Sequence, residues 1–150
     1  MTKFALMALL APIAFGQQYN RAWCSNDMTA GTYMVSCGGF ITPVANGPSL
    51  PMTLLGIVTG DLSGNFSGSP TNMIAGAMTP GTVAGPAQIN GDCTGKITYN
   101  KGTPGEMNIQ FVVLSNGDEM RGMVVDKGAN VSCHLIRIRP LVVYQQSSPR

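Results

Sequence analysis

Short runs in which apolar and polar residues alternate, separated by Gly, Asn and Asp, recur along most of the chain. Period-two alternation puts successive side chains on opposite faces, as in a half-buried strand. Residues 31–37 place Tyr33, Val35 and Cys37 on one face. Residues 54–61 form a second run, closed by Asp61-Leu-Ser-Gly-Asn65, whose Gly and Asn tolerate the positive φ of a tight turn. Residues 65–69 begin a third strand that stops at Pro70, and residues 73–78 either continue it or stand as a strand of their own. Residues 82–90 and 96–100 follow, joined by the turn Asn90-Gly-Asp-Cys-Thr-Gly95. Residues 107–114 align Met107, Ile109, Phe111 and Val113, and the Asn-Gly pair of Ser115-Asn-Gly-Asp118 is a strong hairpin signal. Residues 119–125 return, Asp126-Lys-Gly-Ala-Asn130 turns again, and residues 131–139 close the series before Pro140.

Outside the N-terminus no segment sustains the i, i+3, i+4 spacing of an amphipathic helix. The expected fold is all-β: an antiparallel up-and-down meander of about eight strands closing into a barrel, which removes exposed strand edges. A two-sheet β-sandwich is the alternative.

The first sixteen residues differ in kind. Lys3 precedes an apolar run from Phe4 to Ala14, and Ala14 and Gly16 stand three before and one before a cut ahead of Gln17, the small residues a signal peptidase accepts. The run is interrupted by Pro12 and is about half of the roughly 20 residues a membrane-spanning helix needs. Residues 1–16 therefore read as a cleaved signal peptide, 17–140 as one β-barrel domain and 141–150 as a C-terminal tail, and the mature protein is expected to be secreted or periplasmic. All four cysteines, Cys24, Cys37, Cys93 and Cys133, follow the cleavage site, and an even count in an exported domain implies two disulfides. A zinc site is disfavoured, because structural zinc ligands come in close pairs and these cysteines are far apart. In a closed meander the first and last strands are neighbours, which pairs Cys37 with Cys133 across the seam and leaves Cys24 for Cys93. The pairing Cys24–Cys133 with Cys37–Cys93 competes, since a bulge would reverse a face.

Composition narrows the chemistry. Charged residues are 11% of the chain, with nine Lys+Arg against seven Asp+Glu. That balance leaves no electrostatic footprint for nucleic acid. A hydrophobic fraction of 44% is too high for a disordered chain. His134 is the sole histidine, and no partner for its imidazole is in view, so no general base is assigned. Asp61, Asp92, Asp118 and Asp126 fall at turns, where Asp bonds its own backbone, and do not read as paired acids. Asp61, Ser63 and Asn65 alternate like calcium ligands, but the bidentate Glu of a calcium loop is missing. No catalytic residue, metal ligand or cofactor is expected.

Gly31-Thr-Tyr33, Gly60-Asp-Leu-Ser-Gly-Asn65, Asp92-Cys-Thr-Gly95 and Gly117-Asp-Glu-Met120 resemble a family of small secreted proteins from environmental bacteria. The barrels of that family are similar to lipocalins and other calycins. The resemblance implies a calycin-like barrel and brings no catalytic residues with it. The lipocalin Gly two before a Trp is absent, for Trp23 follows Arg21-Ala22.

The function expected is that of a non-enzymatic secreted barrel binding a small apolar ligand or a surface partner. A cavity for such a ligand would be lined by Tyr33, Met107, Ile109, Phe111 and Met120. The alternative is a structural or interaction protein of the cell exterior with a filled core, and an enzyme of unknown type is the third reading.

Overall fold

A computed structural model describes residues 24–140. The signal peptide and tail expected at the two ends lie outside the described residues. The strands are β1 (Gly31–Ile41), β2 (Leu50–Gly60), β3 (Asn65–Gly68), β4 (Thr71–Ile74), β5 (Ala77–Pro80), β6 (Val83–Pro86), β7 (Gln88–Ile89), β8 (Thr94–Tyr99), β9 (Met107–Leu114), β10 (Glu119–Val124) and β11 (Ala129–Pro140). Eight of them, in the order β1-β2-β3-β6-β8-β9-β10-β11, form an antiparallel barrel that closes where β11 meets β1. The all-β barrel expected from the alternation is the fold observed.

Where the strands depart from the sequence pattern, local chemistry explains it. β3 and β4 are two halves of one path along β2, β3 pairing with its end and β4 with its start. The break falls at buried Pro70, which packs against Gly56; a Cβ on Gly56 would lie 2.5 Å from the Pro70 Cα. Residues 73–78 do not form one strand, because Ala75 and Gly76 both take positive φ and fold the segment into the β4–β5 hairpin. Residues 82–90 likewise split into β6 and β7. Between them the Ala87 N–H turns aside to donate to the Gly64 carbonyl at 2.9 Å. β6 and β8 then share one residue pair, Val83 with Tyr99, and β7 pairs with Gly95 and Lys96 of β8.

Inward positions are mostly apolar. Tyr33, Val35, Met52, Leu54, Val58, Phe66, Tyr99, Phe111, Met120 and Val131 are buried in one continuous core. Burying a large apolar side chain stabilises by about 1.5–3 kcal/mol, so this interior is the main source of stability.

The barrel ends differ. At one end the arm from Cys24 through the 3-10 turn Asn26–Thr29 crosses the opening. It is held by the Cys24–Cys93 disulfide, by Asn26 donating to the Ser63 carbonyl at 3.0 Å, and by Arg137 donating to the Met28 carbonyl. The opposite end has no such cover among the described residues. There the β4–β5 hairpin and the segments before β2, β9 and β11 stand around an open mouth.

Candidate functional site

Tyr33, Ile109, Phe111 and Met120 point into the core, while Met107 sits half-buried at the edge of the mouth. The void between the core residues, bounded by Val35, Phe66, Phe111 and Met120 among others, is about 30 Å³. That is room for about two water molecules and not for an organic ligand.

The mouth offers the space that the interior lacks. A recess of about 390 Å³ lies there, within the roughly 300–1,000 Å³ of small-molecule clefts. Each wall comes from an element end. Ile41 closes β1, Ile74 closes β4, Met107 opens β9, Val124 closes β10 and Ala129 opens β11. Alternation turns these five side chains inward, so together they make an apolar floor. Glu106, Asp126 and Lys127 form a charged rim. Asp126 is fixed, accepting from the Asn108 backbone at 2.6 Å and the Asn108 side chain at 2.9 Å. Glu106 accepts from the Gly102 N–H at 2.8 Å, which holds the loop ahead of β9.

Asn72 is the polar residue of that floor, on the inward face of β4 and 5% exposed. Its Oδ1 accepts from the Thr79 hydroxyl across the β4–β5 hairpin. Among the described residues no acceptor takes its Nδ2 hydrogens. Sequence reading missed Asn72; the available signal was an Asn at an inward-alternating position beside Ile74.

The outer wall carries the sole histidine. The expectation that His134 has no partner is corrected: its Nε2 lies 2.9 Å from Glu119 Oε1, which also accepts from Arg121 Nε at 2.6 Å. The register explains it. Arg121 opposes His134 and Glu119 opposes Ile136, so Glu119 sits diagonally from the imidazole. The Arg121 hydrogen bond, with His134 adding to it, holds the Glu119 carboxyl below its usual range. Ser36 opposes His134 on β1, yet no hydroxyl bonds the imidazole among the described residues. The turn aspartates act on their own backbone. Asp61 accepts from the Ser63 and Asn65 N–H groups and the Asn65 side chain, and Asp92 from the Thr94 N–H and hydroxyl. These bonds depress both carboxyls, that of Asp61 chiefly through the Asn65 side chain and that of Asp92 through the Thr94 hydroxyl. Among the described residues no cluster of three or more metal-ligating side chains occurs.

The second disulfide joins Cys37 and Cys133, which stand directly opposite each other on β1 and β11 with Cα atoms 4.0 Å apart. The bonds thus follow strand adjacency, one on the seam and one on the arm. Two disulfides point to an oxidising, extracytoplasmic setting. No helix among the described residues is long and apolar enough to cross a membrane.

No family model, no curated protein and no solved structure matches this chain. The fold alone defines its class: a disulfide-bonded, eight-stranded antiparallel barrel, consistent with calycin-like barrels.

Proposed function

We propose that the protein is a secreted, non-enzymatic binding protein that takes a small apolar molecule into the open mouth of its barrel. The observation that carries this reading is the contrast between a filled interior of about 30 Å³ and a mouth recess of about 390 Å³ with an apolar floor. The absence of an enzymatic role is supported by the surroundings of His134, whose Nε2 is engaged by a carboxylate already bonded to Arg121. A general base needs a reacting proton within reach, and among the described residues no aligned nucleophile accompanies this one.

Titration with the uncharged fluorophore N-phenyl-1-naphthylamine tests the site. Ala129→Trp, which fills the recess, is expected to weaken binding at least tenfold, while Ile136→Asn on the outer wall leaves it unchanged. Binding that ignores Ala129→Trp refutes the mouth as the site.

A second reading has its own support. Ile57, Met34 and Ile136 lie in register across β2, β1 and β11 on the outside of the barrel, with Ile57 48% and Ile136 40% exposed. Exposed apolar clusters mark contact surfaces for other macromolecules. On this reading the protein is an interaction module of the cell exterior, and Ile136→Asn rather than Ala129→Trp abolishes partner binding.

A further inference from the structure

We infer that the mouth selects uncharged molecules bearing a carbonyl-type acceptor on an apolar body, and that Asn72 is the residue that reads this acceptor. The inference rests on the mouth being the binding site. Asn72 is almost fully buried, in the floor of a recess otherwise made of Ile41, Ile74, Met107 and Val124. A primary amide carries one acceptor and two donors. Thr79 satisfies the acceptor, Oδ1, so what the side chain retains for the recess is an N–H donor pair.

The Nδ2 group opens onto the recess, where water meets its hydrogens until a ligand displaces it. A donor then covered without an acceptor costs free energy that a matching acceptor recovers. A ligand that places a carbonyl oxygen at Nδ2 completes the amide, whereas a pure hydrocarbon covers it and leaves it unpaired. Discrimination by a buried hydrogen-bonding group is far steeper than by apolar contact alone. The charges at the rim do not compete for the same role. Asp126 and Glu106 are tied to Asn108 and Gly102, which leaves them as loop anchors above the floor, and Lys127 stands with them on the rim. Among the described residues the floor itself holds no charged group, so a ligand ion seated there would lack a counter-charge beside it.

Two neutral naphthalene fluorophores of similar size separate the possibilities. Prodan carries a ketone, and N-phenyl-1-naphthylamine has no carbonyl. The full mature protein is expected to bind prodan at least tenfold more tightly. Asn72→Leu is expected to remove that preference, with prodan weakened tenfold or more and the naphthylamine within twofold. Asn72→Asp, which keeps an acceptor for Thr79 and loses the donors, should weaken prodan likewise, and far-UV circular dichroism checks that each variant is folded. Equal affinity of the wild-type protein for the two probes overturns the inference while leaving the mouth as a site. So does an equal loss of both probes in a folded Asn72 variant. If Ala129→Trp weakens neither probe, the mouth reading itself fails and takes this inference with it.

Discussion

Tyr33 joins three parts of the molecule through one phenol. Its hydroxyl accepts from Arg137 Nε at 3.1 Å and Nη2 at 2.8 Å and donates to the Gly117 carbonyl at 2.9 Å. The Arg137 guanidinium also lies over the ring, 5.4 Å from its centre, and reaches on to the Met28 carbonyl of the arm. Tyr33→Phe strips a buried oxygen from this set and leaves its partners unmatched, so urea denaturation should show a loss of about 1–3 kcal/mol. Burial pushes the Tyr33 phenol up, with Arg137 opposing, and burial likewise raises Tyr99. A phenol whose folded pKa exceeds its unfolded value of 10.0 favours the fold in its neutral form. That contribution is complete below pH 10 and is lost as pH rises toward the folded pKa. Thermal melts are thus expected to fall on the alkaline side of pH 10, and Tyr33→Phe should flatten that fall. Next to this phenol, Gly117 has φ +89°, and a Cβ there would stand 1.9 Å from the Met28 carbonyl. Gly117→Ala should cost about 3 kcal/mol or more, because left-handed strain adds to a collision with backbone.

The N-terminal arm is the element whose attachment is most open to test. Its disulfide spans 69 residues of sequence, which in the chain-entropy model corresponds to about 4 kcal/mol. Replacing Cys24 and Cys93 together by Ser should lower the melting temperature and speed amide exchange on β1 near Tyr33 more than near Cys37. Equal exchange along β1 would mean that the arm does not shield its end of the barrel. The sequence shows strands well where alternation runs uninterrupted. Residues 107–114 and the long stretch through Cys133 need no tertiary information, since every second residue is apolar. It shows them poorly between residues 70 and 90. There Pro70 bends one path, Ala75-Gly76 reverses another, and Ala87 leaves the ladder for Gly64. Each of these depends on a partner more than a local window away. The arm itself has no period at all, and its 3-10 turn is set by what it crosses.

For the whole molecule, strand order is what made the disulfides legible and register is what hid the candidate site. The seam follows from closing a meander, whereas the His134–Glu119 contact and the Asn72 floor need the alignment of β10 with β11 and of β4 with β2. Export belongs here too. Protein recovered from culture medium or periplasm is expected to begin at Gln17 by N-terminal sequencing, and an intact Met1 form there would contradict it. Non-reducing peptide maps of the same material should contain Cys24–Cys93 and Cys37–Cys133, and a Cys37–Cys93 peptide would contradict the strand order. These two bonds cross each other along the chain, the second spanning 96 residues. A polypeptide emerging N-terminus first presents Cys24 and Cys37 together, long before Cys93 and Cys133 exist to receive them. An oxidant acting on thiols in order of appearance would join each cysteine to its nearest predecessor and trap the first strand away from the last. Productive maturation therefore demands either that oxidation wait for the final strand or that a thiol exchanger undo the early bond. Yield in a host with an oxidant but no disulfide isomerase becomes a measure of how often this chain is caught before its ends meet.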